Sequence, residues 1–208
     1  IRPRDWSSDV CSSDLALGHR DHYAMSLALD ELDEERLFGL FDDLEAALAP
    51  AWAAERTAIE AERRAVLGFE GPFQPWHMID AFGQDAPSVG DDPLDPVIGA
   101  VDAVAAATAY FADLGHDVAD VLARSDLQPR PAKDQGAFMM HVDRRGDIRI
   151  LLNLVPTVRW LETTLHELGH AIYELALDPD LPWLLRQPAH ILTTEAIAML
   201  HGRRGRDA

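Results

Sequence analysis

Cysteine is the scarcest chemistry in this chain, with Cys11 the one thiol among 208 residues. One thiol closes no disulfide within the chain, so the fold has to hold without covalent staples. Cys11 also sits inside Asp5-Trp6-Ser7-Ser8-Asp9-Val10-Cys11-Ser12-Ser13-Asp14-Leu15, a stretch that reads as a translated sequencing-adapter oligonucleotide rather than biological protein. Residues 1–15 are therefore expected to be an artefactual tail, to be set aside in reasoning about the fold. Without that tail no cysteine is left, and a thiol nucleophile is excluded.

Positive charge is scarce as well. Eighteen Lys and Arg stand against 36 Asp and Glu, a net charge of -18, which excludes nucleic acid and anionic membrane surfaces as expected partners. The basic tail Arg203-Arg204-Gly205-Arg206 is too short to change that reading. Long apolar runs are missing too: no stretch of 18 apolar residues occurs, so no membrane-spanning helix is expected, and the cytoplasm is the expected compartment. No internal repeat or low-complexity segment stands out.

What the chain does have is enough hydrophobic residues, 48%, to bury a sizeable core in one or two domains. Leucines recur among acids from His22 to Ala49 and predict a helix. Pro50 is expected to end it, and a charged second helix from Ala51 to Leu67 is expected to run antiparallel to the first. From Gly68 to Pro96 the composition turns to glycine, proline and aspartate, which predicts a lid-like loop. This divides the chain into a helical arm and lid over residues 16–96 and a core over 97–208. Trp76, in the lid beside His77, is expected to pack on the nearest helix rather than line a channel. A long alanine-rich helix is expected from Val97 to Leu114 and a shorter one from Val118 to Ala123. Gly136 to Val142, a turn at Asp143-Arg144-Arg145-Gly146, and the alternating Asp147 to Leu152 predict a β-hairpin. His141 on its first strand reads as a satisfied or exposed histidine.

The motif that carries chemistry is His166-Glu167-Leu168-Gly169-His170. On a helix the two histidines fall one turn apart on one face, so both imidazoles reach one metal ion, while Glu167 points about 100° away and is free to act as general base. The surrounding stretch from Val158 to Ala176 is largely apolar, and two histidines and a glutamate in such a helix need partners that a zinc ion would supply. Catalytic zinc takes three protein ligands and keeps one open position. A third histidine of the His-Glu-x-x-His-x-x-Gly-x-x-His type is excluded, because Tyr173 and Ala176 occupy the required glycine and histidine positions. Glu195 is the expected third ligand, on a second helix that Thr193 and Thr194 would cap, returned over the histidines by a turn through Asp178-Pro179-Asp180 and Pro182. Asp178 and Asp180 are competing oxygen ligands that read better as turn residues. His190 reads as a structural or solvated turn histidine.

Tyr110 to Arg203 resembles the catalytic core of the angiotensin-converting-enzyme (peptidyl-dipeptidase A) family and the neighbouring thimet-oligopeptidase-like family. Lys133-Asp134-Gln135-Gly136-Ala137-Phe138, Asp147-Ile148-Arg149-Ile150-Leu151-Leu152-Asn153, the His-Glu-Leu-Gly-His motif and Glu195-Ala196-Ile197 carry the likeness. It implies a mainly α fold, a helical zinc peptidase with a small antiparallel β-hairpin beside the metal-binding helix. It also implies Zn2+ on His166, His170 and Glu195, with Glu167 as base, and an edge strand at Gly136 and Ala137 that pairs with an extended oligopeptide substrate. The implied activity is peptide hydrolysis of the peptidyl-dipeptidase or oligopeptidase type. A related zinc carboxypeptidase and a non-catalytic peptide-binding module are the alternatives.

Two departures matter. The acid that such proteins carry one turn after the zinc glutamate is here Met199, so the partner that orients a ligand histidine is expected elsewhere, with Glu162 a candidate on spacing. The tyrosine and histidine that stabilise the tetrahedral intermediate in that family would lie past Ala208, so the chain is expected to be an internal piece of a considerably longer protein.

Overall fold

The computed structural model describes residues 12–78 and 94–206. Most of the expected lid, and the tail up to residue 11, lie outside the described residues. The chain is mainly helical with one two-stranded antiparallel sheet, as expected. It divides into two compact units, Ile1–Pro87 and Ser88–Ala208. Among the described residues no helix is long and apolar enough to cross a membrane.

The first unit holds α1 (Ser12–Ala16), α2 (His22–Leu29) and α3 (Glu34–Leu67). The expected break at Pro50 does not occur. α3 runs through it for 34 residues, about 51 Å at 1.5 Å per residue. Proline costs a helix roughly 3 kcal/mol, but alanines crowd both sides of Pro50, and these strong helix formers carry the chain across. The break falls instead at residues 30–33, where Glu31 takes a left-handed φ of 56° and Asp33 caps α3 by accepting from the Arg36 N–H. Gly68, at φ 65°, ends the helix in a left-handed cap. Past it, Phe69 stacks on His77 at 3.7 Å, and Arg63 donates to the His77 carbonyl. Trp76 is 73% exposed, contrary to the packed position expected of it, because the short 3-10 turn Pro75–His77 turns the histidine inward in its place.

The second unit holds α4 (Asp95–Ile98), α5 (Ala103–Asp113), α6 (Ala119–Ala123), β1 (Phe138–His141), β2 (Ile148–Leu151), α7 (Val158–Leu175) and α8 (Ile191–Arg203). The single helix expected from Val97 to Leu114 is split. Asp102 accepts from the N–H groups of Val104 and Ala105 and so starts α5 afresh. Asp95 accepts from the Val158 N–H at 2.8 Å and thereby ties α4 to the start of α7.

The core lies where α5, α6, β2 and α7 meet. Ala103, Ala107 and Phe111 repeat every four residues on α5. Ile148 and Ile150 alternate inward on β2, and Leu161, Leu165, Leu168 and Ile172 form the apolar stripe of α7. β1 and β2 pair with Met139 opposite Ile150 and His141 opposite Ile148. The turn between them is held by the Asp143 side chain, which accepts from the N–H groups of Arg145 and Asp147. Lys133, buried, donates to the carbonyls of Asp126, Gln128 and Leu152 and pins the loop before the hairpin to the far side of β2.

Candidate metal centre

α7 begins where Thr157 accepts from the Trp160 N–H, and its apolar stripe faces the core. That leaves His166 and His170 on a face turned toward α8. The two helices meet closely because the contact residues are small. A Cβ built on Gly169 would stand 2.7 Å from the Ala198 Cα, and one on Gly202 would stand 3.2 Å from the His166 Cβ. A side chain at either glycine would push α8 away, and Glu195 with it.

At this separation Glu195 faces both histidines. His166 Nε2 lies 3.6 Å from Glu195 Oε2, and His170 Nε2 lies 3.7 Å from Glu195 Oε1. All three ligand atoms fall within 4.8 Å of one another. Ligands about 2.0–2.1 Å from a tetrahedral zinc stand roughly 3.3 Å apart, so small side-chain adjustments would bring this triangle onto one ion. Two imidazoles and one carboxylate are also the donor set of catalytic rather than structural zinc. The residues fit the metal. Burial holds the His170 imidazole below its ordinary range, His166 adds to the fall, and Glu195 opposes it. The neutral form so favoured is the one that binds a metal.

Glu167 is buried, 6% exposed, and its carboxylate accepts a hydrogen bond from the Met139 N–H of β1. Burial pushes this carboxyl up from 4.5 to about 7, and the Glu195 carboxylate adds to the rise, against the Met139 bond. A carboxylate so placed changes protonation near neutrality, as a general base at that pH has to.

No family model matches the chain, and no curated protein matches it significantly.

A cavity of about 480 Å³ opens over His166, Glu167, His170 and Glu195. Its other wall is Ala137, Phe138 and Met139. β1 starts two residues after Gly136, whose N–H already goes to Asp134 and whose carbonyl accepts from Asn153. Of the two residues expected to meet substrate, the structure brings Ala137 to the cavity wall and not Gly136.

The partner of His170 is Thr194, buried, whose hydroxyl lies 2.7 Å from His170 Nδ1. Thr193 pairs with the Tyr173 hydroxyl at 3.1 Å, so both threonines bridge α8 to α7. The expected threonine cap is replaced by His190, which accepts from the Leu192 N–H and starts α8 at Ile191. Glu162, expected from spacing to orient His166, is ion-paired with Arg206 instead. Met199 points to solvent, 65% exposed. Asp178 accepts from the Asp180 N–H in a turn, as expected. His141 is a satisfied histidine: Nε2 accepts from the Gly146 N–H, and Nδ1 lies 2.9 Å from the Glu174 carboxylate. Behind Gly169, His201 is buried against the Tyr110 hydroxyl at 2.8 Å.

Proposed function

We propose that this chain is a zinc-dependent peptide hydrolase of the peptidyl-dipeptidase or oligopeptidase type, acting on oligopeptides in the cytoplasm, where a chain so poor in cysteine needs no disulfide. The observation that carries the reading is the convergence of His166, His170 and Glu195 within 4.8 Å of one another, with the buried carboxyl of Glu167 beside them. His166, His170 and Glu195 would hold the ion. Zinc bound there supplies Lewis acidity, which acidifies a water and polarises a carbonyl.

The chain's own residues account for the rest. Glu167, fixed by the Met139 N–H, takes a proton from the attacking water on its free carboxylate oxygen and gives it to the leaving amine. Ala137 and β1 form the wall along which an extended peptide lies, paired through backbone groups of the strand edge. Thr194 holds the His170 ring in place, and Gly169 sets the helix spacing that keeps Glu195 within reach.

Two measurements on one set of proteins test this reading. Metal content after dialysis should be one zinc per chain, lost in Glu195→Ala and kept in Glu167→Ala. Mass spectra of a synthetic peptide ladder should show cleavage by the zinc protein, reduced about 10³-fold or more in Glu167→Ala. Release of single residues would favour the carboxypeptidase alternative. Zinc binding without any cleavage would leave only the peptide-binding module, and turnover that survives Glu167→Ala would refute the base.

A further inference from the structure

A second cavity opens one turn farther along α7. Glu174, four residues after His170 and so about 6 Å along the helix axis, lines both cavities. The second measures about 190 Å³. Pockets that enclose a whole ligand run to roughly 300–1,000 Å³, so this one suits a single side chain or chain terminus.

Its polar wall is formed by Arg144, Arg145 and Arg186, facing Glu174 and Asp178. In a chain with twice as many acids as bases, three guanidinium groups at one small cavity invert the background. Among the described residues none of the three lies within 4 Å of a carboxylate oxygen. Arg144 rests 4.2 Å from the Trp183 ring centroid and donates to the Trp183 carbonyl, and Arg186 donates to the Leu181 carbonyl. These contacts fix two of the guanidinium groups without pairing them directly to an acid. Glu174, 2.9 Å from His141 Nδ1, and Asp178, which accepts from the Asp180 N–H, offset part of that charge, and three guanidinium groups against two carboxylates leave the wall with an excess of one positive charge.

Arg144 also sits at φ 52°, in the left-handed region that costs an arginine on the order of 1 kcal/mol. A turn needs no arginine there. The contact with Trp183 holds it, and the result is a guanidinium aimed at the rim of the cavity.

From this arrangement we infer that the cavity is a subsite for a carboxylate of the substrate, from an acidic side chain or a free C-terminus, a few residues along β1 from the scissile bond. β1 runs from Phe138 at the metal cavity to His141 at the second one, so a peptide on the strand edge reaches both. The inference takes the nature of its ligand from the peptide-hydrolase reading. Its test does not depend on turnover.

Fluorescein-labelled octapeptides are prepared in pairs, Glu against Gln at each successive position and free acid against amide at the C-terminus. Binding is read by anisotropy on the 208-residue chain, with zinc and again with the metal removed. At least one acidic member should bind about tenfold tighter than its neutral twin in both conditions, since an ionised acceptor roughly doubles the strength of a hydrogen bond. Arg145→Glu, at an exposed position, should bring that ratio to one or below, and Arg186→Gln should lower it several-fold. A ratio of one for every pair overturns the subsite. So does a ratio that survives both substitutions, or one that vanishes without zinc, which would mean that the carboxylate was ligating the metal. A preserved ratio in a chain that binds no zinc sinks the hydrolase reading and keeps the subsite, while zinc binding without a ratio does the reverse.

Discussion

α3 and α7, the long helices of the two units, treat their apolar residues in opposite ways. Phe38, Leu40, Phe41, Leu44, Leu48 and Trp52 of α3 are between 46% and 59% exposed, while Val158, Leu161, Leu165, Leu168 and Ile172 of α7 are at 7% or below. α3 is supported in its C-terminal part by surface pairs of Glu60 with Arg56 and Arg64, each worth a few tenths of a kcal/mol. α7 buries side chains that contribute about 1.5–3 kcal/mol apiece. Only the second kind of helix can carry polar groups inward. α7 buries Glu167, Thr164 and Glu174 as well, and each has a partner: the Met139 N–H, the Trp160 carbonyl and His141. The difference shows where chemistry can be placed, because a buried carboxyl is tolerated only where the surrounding apolar contacts outweigh its desolvation.

The sharpest way to break this contrast is to truncate one leucine in each helix. Leu168→Ala removes a fully buried side chain from the middle of the metal motif and should destabilise the second unit by about 2–5 kcal/mol. Leu48→Ala, on α3 and 59% exposed, should change stability by no more than about 0.5 kcal/mol. Urea unfolding of the two variants measures both. Equal losses would show that α3 is as closely packed as α7.

Acidity adds a second contrast, between a buried carboxyl of the second unit and an exposed one of the first. Glu167 is raised from 4.5 to about 7 by burial first and Glu195 second. Its native form therefore binds a proton more tightly than its unfolded form, and the stability it contributes is present below about pH 4.5 and lost as the pH rises through 7. Metal-free protein should lose up to about 3 kcal/mol over that window, seen as a falling melting temperature, and Glu167→Gln should flatten the slope. Asp21 in the first unit is lowered from 3.8, chiefly by its hydrogen bond with Arg20, so its contribution is present above that value and lost as the pH falls. A metal-free melting temperature that rises from pH 5 to 7.5 in the second unit would contradict the placement of Glu167.

Much of the second unit was legible in the sequence, because its signals are periodic or local. The spacing of His166 and His170 needs only a helix, and the alternation of Ile148 and Ile150 around Arg149 needs only a strand. What escaped depends on pairs of elements. Thr194 reads as a cap when α8 is considered alone, and becomes the partner of His170 only once α7 lies beside it. Gly169 carries no signal of its own in the motif, and its role follows only from how near Ala198 of α8 comes. The three arginines of the second cavity are scattered over a turn and a loop, with no spacing to mark them. In the first unit the misleading signal is of another kind: Pro50 reads as a stop, although its alanine neighbours outweigh it.

Thr194 yields the smallest effect and the most specific one. Its hydroxyl, 2.7 Å from His170 Nδ1, fixes which ring nitrogen faces Glu195, and loss of such an outer partner typically weakens metal binding 10- to 100-fold. Valine keeps the shape of threonine and removes the bond, so Thr194→Val should retain the fold and bind zinc about tenfold more weakly in a competition titration with a chelator. Thr193→Val, one residue away and bonded to Tyr173 rather than to His170, should leave zinc affinity within a factor of two or three. If the two variants weaken zinc equally, the threonines serve only to hold α8 against α7, and His170 takes its orientation from the packing of the helices alone.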